Sequence, residues 1–247
     1  MKVCMAFYHQ VNDDVFETFL KSFRSVSDAL LQVYTDNVPE KLRHMLSLQY
    51  GVNWYLLKPE DVKNRRCLCK IECVRHAINR LDKRDRLMVT DVDTYFLKNP
   101  FPSFRKTSFD VGVTTRLHSY KFPINSGVFF VKPNENARHI FGELFDIYRK
   151  TQPEHKDDWF IDQDFLNYIY KTNKRVQDVG WEYNFCPNTD VFGVKMAADM
   201  IRRAYESRSV KVLHLKSELK MCIYDGFLEH AVTKHCNGGW NWKKDGK

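Results

Sequence analysis

The sequence predicts an α/β domain whose central sheet is flanked by helices. Short apolar segments typical of strands alternate along the chain with longer segments in which apolar residues recur at helical spacing. The chain has 247 residues, of which 43% are hydrophobic and 14% aromatic, so it is long enough for one large domain with a full core. We therefore expect one domain over residues 1–225 and a basic, aromatic tail over residues 226–247.

The first half of the chain begins with a strand and a helix. Lys2 to Tyr8 is mostly apolar and lacks Gly and Pro, which favours a central strand covered on both faces. Asp13 and Asp14 are suited to cap a helix whose apolar residues run from Val15 to Phe23. The same patterns predict a strand over 31–34, a helix from Pro39 through Leu48, a strand over 54–57, a flexible polar loop over 61–66 and a helix over 68–81.

The segment Arg86 to Pro100 carries the strongest local signal for a functional site. Leu87 to Thr90 has the composition of a buried strand, and it leads directly into Asp91 and Asp93. Open α/β sheets bind ligands at the carboxyl edge of their strands, and two carboxylates at that edge can hold one divalent cation. An isolated Asp-x-Asp pair also occurs in turns and helix caps, so the pair alone does not settle the function.

The second half predicts more strands and helices. We expect strands over 109–115, 127–132 and 210–214, helices over 135–149 and 160–170, and polar or basic loops over 118–123 and 155–158. Asp162 and Gln163 then lie in the first turn of a helix. A carboxylate there is favoured by the helix dipole, so capping is an alternative role for Asp162.

The cysteines and the start of the chain favour a cytoplasmic protein. Seven cysteines, an odd number, suit a reducing compartment. Cys67, Cys69 and Cys73 lack a second cluster with zinc-type spacing, and we expect Cys69 and Cys73 to pack as small apolar residues on one helix face. No secretory signal or membrane span is predicted.

The charge of the chain leaves the partner open. A net charge of +8 suits a solvated basic surface, an anionic membrane or phosphorylated glycan, or a nucleic acid. The tail, with Trp240, Trp242 and several lysines, is either a flexible end or a contact for an acceptor or a membrane.

Four later stretches complete a recognisable order after Asp91-Val92-Asp93. They are Asn125-Ser-Gly-Val-Phe-Phe-Val, Asp162-Gln-Asp-Phe-Leu-Asn, Tyr183-Asn-Phe-Cys-Pro and Leu213-His-Leu-Lys. Together, over residues from about 70 to 216, they resemble the GT-A-type glycosyltransferases. The resemblance is to the retaining family that includes glycogenin and bacterial lipopolysaccharide galactosyltransferases, with a related group that modifies plant cell-wall proteins. It implies a single GT-A-like (Rossmann-like) domain with a mixed, mostly parallel central sheet. By that family's pattern, the domain moves a hexose or pentose from a nucleotide sugar, a UDP-sugar.

The resemblance also assigns roles to individual residues. It implies that Asp91, Asp93 and His214 bind Mn²⁺ (or Mg²⁺), and that Asp162, Gln163 and Asn125 act on the sugar. It implies that the donor is bound by Phe7, Tyr8, Lys70, Asp91, Val92, Asp93, Lys216 and Lys220. The family normally has His-x-x-Gly-x-x-Lys-Pro-Trp at the last stretch, whereas this chain has His214-Leu-Lys-Ser-Glu-Leu-Lys220 without that Gly or the Pro-Trp. This departure makes His235 the alternative metal ligand.

Stereochemistry and acceptor stay open at the level of sequence. Retention places Gln163 or Asp162 beneath the anomeric carbon, whereas inversion would make Asp162 or Asp164 a general base. We expect a glycan or glycolipid acceptor. A nucleic-acid acceptor, such as a modified base of viral DNA, and a non-catalytic binding module are the alternatives.

Overall fold

A seven-stranded mixed sheet runs through the centre of the protein. The structure, a computed structural model, describes residues 1–9, 13–106, 108–116, 123–151, 161–187, 189–207 and 209–215. The strands are β1 (Lys2–Tyr8), β2 (Leu30–Thr35), β3 (Val52–Leu56), β4 (Arg86–Asp91), β5 (Thr94–Phe96), β6 (Val111–Val113), β7 (Val128–Val131), β8 (Val176–Asp178) and β9 (Val212–His214). The helices are α1 (Asp13–Val26), α2 (Glu40–Tyr50), α3 (Pro59–Arg80), α4 (Ser103–Lys106), α5 (Glu135–Thr151), α6 (Ile161–Thr172) and α7 (Thr189–Ser207).

The strand order of the sheet is β3-β2-β1-β4-β7-β6-β8, and only β7 runs antiparallel to its neighbours. The prediction of a mixed, mostly parallel sheet flanked by helices is therefore confirmed. β1 is central, and its register with β4 places Phe7 beside Asp91. Because β1, β2 and β4 are parallel, their carboxyl ends lie at one edge of the sheet.

A second, two-stranded sheet brings a distant part of the chain to this edge. β5 follows the Asp-x-Asp pair directly and pairs antiparallel with β9, and Thr94 lies opposite His214. The backbone N–H of Leu215 donates to the carbonyl oxygen of Asp93 over 3.0 Å. The two strands therefore place His214 beside the acidic pair, although 120 or more residues separate them in sequence.

Apolar helix faces cover both sides of the central sheet. Helix α1 buries Val15, Phe16, Phe19, Leu20 and Phe23, as its spacing predicts. Burying each phenylalanine contributes about 1.5–3 kcal/mol, which explains why this helix is held firmly on the sheet. On the other face α3, α5 and α6 pack together, and Cys69 and Cys73 are buried in that core as expected.

One predicted element is wrong. Residues 61–66 were expected to form a flexible loop before a helix starting at Leu68, but α3 begins at Pro59. Proline suits the first turn of a helix, since its missing N–H has no intrahelical partner there, and Val62 is fully buried in the core. Pro59 and Val62 therefore account for the early start of α3, although the other residues of its first two turns are polar.

Elements α4, α7, β5 and β8 were not predicted. The expected loops over 118–123 and 155–158 lie mostly or wholly outside the described residues, as does the tail over 226–247. Among the described helices, none combines the length and the apolar character needed to span a membrane.

Candidate active site

Two acids and one histidine meet at the carboxyl edge of the sheet. Asp91 ends β4, Asp93 follows two residues later, and His214 ends β9. One potential ligand atom from each lies within 4.8 Å of the others. The Nε2 atom of His214 is 3.2 Å from an oxygen of Asp93 and 3.7 Å from one of Asp91. Two carboxylates and an imidazole form a donor set that suits a divalent cation such as Mn²⁺.

The orientation of the His214 ring is set by Asn184. The amide nitrogen of Asn184 donates to Oγ1 of Thr114 over 2.9 Å and to the carbonyl oxygen of Asn125 over 3.0 Å. Those two bonds turn its Oδ1 towards His214, where it lies 3.1 Å from Nδ1. Because Oδ1 only accepts, Nδ1 carries the proton, and Nε2 is the ring nitrogen that faces the carboxylates. Histidines that bind metals are commonly held by such a second hydrogen bond.

Asn125 and Gly127 have different structural roles within the Asn125-Ser126-Gly127 stretch. Oδ1 of Asn125 accepts a hydrogen bond from the N–H of Gly127 over 3.1 Å and so fixes the turn into β7. A β-carbon on Gly127 would lie 2.1 Å from Nδ1 and from Cε1 of His214, so only glycine leaves room for the ring. Asn125 is fully buried, and its Nδ2 makes no hydrogen bond with the residues that the structure describes.

Lys70 joins the acidic pair to the predicted sugar-binding residues. Its Nζ donates to Asp91 over 2.7 Å, to Asp162 over 3.0 Å and to the carbonyl oxygen of Ser126 over 3.1 Å. Burial lowers the pKa of Lys70, but the carboxylates of Asp91 and Asp162 raise it by more, so its pKa lies above the ordinary value and the amine stays charged. Lys70 was expected near the start of its helix and close to the base or phosphates. It lies within α3 instead and contacts the two acids.

Asp162 and Gln163 lie in the first turn of α6, as predicted, and both are buried. Asp162 is held by Lys70, so it does more than cap its own helix. The Oε1 atom of Gln163 accepts a hydrogen bond from Nη2 of Arg116 over 2.7 Å. Asp164 also lies in this first turn and is half-buried.

The residues predicted to meet the nucleoside are mostly in the core. Phe7 is 8% exposed and Tyr8 is 3% exposed. The hydroxyl of Tyr8 donates to Asp13 over 2.8 Å, and burial together with this carboxylate raises the pKa of Tyr8. The side chain of Val92 is also packed in the core, so its main chain is the part left for a ligand. Beyond β1, His9 contacts Asp36 over 2.9 Å at the same sheet edge.

Some site residues were missed, and others cannot be placed. Lys216, Lys220 and His235 lie outside the described residues. Asn184 was not assigned a role from the sequence, although it lies within the Tyr183–Pro187 stretch and so had a positional signal. Arg116 had no signal, because a single arginine after a strand usually lies on the surface.

Most of the candidate site lies in a region that matches the sequence model of a known family. The sequence model of the nucleotide-diphospho-sugar transferase family matches residues 74–219, which is more than half of the chain. This region contains Asp91, Asp93, Asn125, Asp162 and His214. No curated protein sequence matches the chain at a significant level.

Solved structures of glycosyltransferases share the fold. The glycosyltransferase GlyE of Streptococcus pneumoniae TIGR4 is 15% identical with a TM-score of 0.62, and the match covers 99% of this chain and 63% of GlyE. The galactosyltransferase LgtC is 15% identical with a TM-score of 0.59, and the match covers 96% of each chain. Mouse xyloside xylosyltransferase 1 is 11% identical with a TM-score of 0.55, covering 88% of this chain and 98% of the mouse protein. These likenesses show that the architecture is that of GT-A glycosyltransferases.

Proposed function

The chain belongs to the nucleotide-diphospho-sugar transferase family, and on that premise we propose that it moves a sugar from a UDP-sugar to a hydroxyl group with the help of a divalent metal. The convergence of Asp91, Asp93 and His214, with the Lys70–Asp162 pair adjoining it, supports this proposal most directly. The family match supports a nucleotide-sugar donor. Uridine as the base, the metal and the stereochemistry are our proposals.

The acidic pair and His214 would act on the leaving group. When a divalent cation is bound, it neutralises the negative charge that grows on the departing diphosphate. Asp91, Asp93 and His214 are the residues that would hold Mn²⁺ or Mg²⁺, and Asn184 keeps Nε2 of His214 directed at the carboxylates. From the family resemblance, we propose that Lys216 and Lys220 place additional positive charge beside the phosphates.

The neighbouring polar residues would hold the sugar. Lys70 occupies Oδ2 of Asp162, which leaves the second carboxylate oxygen to accept a hydrogen bond from a sugar hydroxyl. Asn125 Nδ2 and Gln163 Nε2 are amide donors of the same region. Lys70 also pairs with both Asp91, a proposed metal ligand, and Asp162. The ammonium group of Lys70 would therefore couple the position of the diphosphate to that of the sugar.

We propose that transfer proceeds with retention. A covalent intermediate on Asp162 would require a carboxylate free to attack, whereas the ion pair with Lys70 lowers its nucleophilicity. That contact favours attack of the acceptor on the same face of the sugar within a short-lived ion pair. Inversion, with Asp162 or Asp164 as general base, is the competing route.

The acceptor and the location follow from composition and resemblance. We propose a glycan or glycolipid acceptor and a cytoplasmic enzyme with peripheral membrane contact. The net charge of +8 favours one second candidate, a glycosyltransferase that acts on nucleic acid. Salt-sensitive binding of the purified protein to DNA would distinguish the second candidate from the first.

A donor screen tests the proposed function. The protein is incubated with Mn²⁺ and a panel of UDP-, GDP- and ADP-sugars, and released nucleoside diphosphate is measured. We expect slow release from one or more UDP-sugars, abolished by a chelator and by Asp93→Asn. Asp146→Asn is the matched control, because that carboxylate is 64% exposed on α5. Release that continues undiminished in metal-free buffer with Asp93→Asn would contradict the proposal.

A further inference from the structure

A charge-assisted hydrogen bond connects Arg116 to Gln163. The donor is Nη2 of Arg116, the acceptor is Oε1 of Gln163, and the distance is 2.7 Å. A guanidinium group can only donate, so the amide atom beside it must be the carbonyl oxygen. The orientation of the Gln163 amide therefore follows from the chemistry of its partner.

Hydrogen bonds on two sides fix the backbone at Thr115 and Arg116. Thr115 forms an isolated antiparallel bridge with Ile124, and the N–H of Arg116 donates to the carbonyl oxygen of Pro123 over 2.8 Å. The carboxylate of Asp178 accepts from Oγ1 of Thr115 over 2.7 Å and from its N–H over 3.2 Å. Arg116 thus extends from a fixed support at the end of β6, and its guanidinium is positioned before any ligand binds.

The consequence for Gln163 is that its two amide atoms have different roles. Oε1 is occupied by Arg116, whereas Nε2 has no acceptor among the residues that the structure describes. Gln163 directly follows Asp162, whose Oδ2 is occupied by Lys70. Both residues of the Asp162-Gln163 pair therefore have one polar atom held by a cation and one left for a substrate.

We propose that Arg116 is a positioning residue that holds the carbonyl of Gln163, so that Gln163 presents its amide nitrogen to the donor sugar. This inference rests on the proposed function. It makes Gln163 a hydrogen-bond donor to a sugar hydroxyl or ring oxygen. It also argues against Gln163 as the nucleophile of a covalent intermediate, because the hydrogen bond from the Arg116 guanidinium withdraws electron density from the oxygen that would attack.

A double-mutant cycle tests the proposal. We compare the steady-state kinetics of the unmodified protein with those of Arg116→Met, Gln163→Ala and the variant that carries both changes. We expect Arg116→Met to lower kcat about 10- to 100-fold, as for other partners that orient a site residue, with KM for the nucleotide sugar nearly unchanged. Because Arg116 acts through Gln163, adding Arg116→Met to Gln163→Ala should cause little further loss. Arg116→Lys, which keeps one donor, should recover part of the rate.

Controls separate positioning from general damage. Arg203→Met removes an arginine that is 76% exposed on α7 and should leave the kinetics unchanged. Binding of UDP with Mn²⁺, measured by calorimetry, should be the same in Arg116→Met as in the unmodified protein. Should Arg116→Met fail to fold, the cycle is run with Arg116→Lys.

Two outcomes would overturn the inference in distinguishable ways. Rate losses that multiply in the double variant, or a loss confined to KM, would show that Arg116 does not act through Gln163, with the proposed function left standing. If the unmodified protein turns over no nucleotide sugar, the proposed function fails and this inference fails with it.

Discussion

The imidazole of His214 occupies the space that a side chain on Gly127 would need. A β-carbon at position 127 would stand 2.1 Å from Nδ1, far inside van der Waals contact. The atoms it would meet belong to a fully buried ring held by Asn184, so they have little freedom to move away. The glycine of the Asn-Ser-Gly stretch therefore sets the position of the His214 ring, and with it the geometry of the proposed metal site, although it supplies no ligand.

Gly127→Ala should displace the ring of His214 and weaken Mn²⁺ binding by at least about tenfold, as loss of an orienting contact does at metal sites. Overpacking should also cost about 1–3 kcal/mol in the free energy of unfolding. Calorimetry and urea unfolding measure the two effects. Gly142→Ala is the matched control, because a β-carbon there meets nothing within 4 Å and alanine favours the helix by about 0.5–1 kcal/mol. Unchanged Mn²⁺ affinity in Gly127→Ala would contradict this account.

Asn184→Ala should free the His214 ring to rotate, because it removes the acceptor of the Nδ1 proton. We expect Mn²⁺ affinity to fall about 10- to 100-fold. The affinity is measured by titration of the folded variant, and Asn79→Ala, an exposed change on α3, should have no effect. Equal Mn²⁺ affinity in the two variants would show that Asn184 does not orient the ligand.

Lys70→Met should leave Asp91 and Asp162 facing each other with no compensating charge. Breaking a buried ion pair by removing one partner typically costs about 3–5 kcal/mol, and we expect a loss of this size in urea unfolding. Lys21→Met removes a lysine that is 62% exposed and pairs with Glu17 on the surface of α1, and it should cost under about 1 kcal/mol. A similar, small cost for both variants would mean that Lys70 is not the cation that the two acids require.

Asp110 should make stability depend on pH in the acid range. Burial raises the pKa of this carboxyl, but hydrogen bonds from Arg175, Asn134 and Asn136 lower it by more, so its pKa lies below the ordinary value. A depressed pKa stabilises the fold at pH values above the carboxyl's ordinary pKa of about 3.9, and that stability is lost as the pH falls through the folded value. Asp110→Asn should therefore be destabilised strongly at pH 6 and much less, relative to the unmodified protein, at pH 3. An equal difference in unfolding free energy at both pH values would contradict this.

The parts of the fold that have local causes are predictable from the sequence. The buried strand before Asp91, the apolar stripe of α1 and the first turn of α6 around Asp162 all follow from spacing and composition. The start of α3 did not, because residues 61–66 are polar and the burial of Val62 depends on the sheet beneath it. Where the polar stretch packs is a tertiary property.

Some residues of the candidate site could likewise be predicted from the sequence, and others could not. Asp91, Asp93 and His214 carry side chains whose chemistry suggests a metal, so their types and their positions at strand ends were informative. Asn184, Arg116 and Gly127 act by orienting or making room for another residue, and that part depends on contacts across 30 to 87 positions of the chain. Lys70 is intermediate, since it was predicted to be a site residue but its place within α3 and its contacts with two acids were not predicted.

We propose that Asp91, Asp93 and His214 bind a divalent cation that in turn binds a nucleoside diphosphate. Calorimetric titration of UDP into the protein, with and without Mn²⁺, tests it most directly. We predict binding that requires Mn²⁺ in the unmodified protein and in Asp146→Asn, and that is lost in Asp93→Asn while the circular dichroism spectrum is unchanged. UDP binding of equal strength without Mn²⁺, or in Asp93→Asn, would contradict the claim.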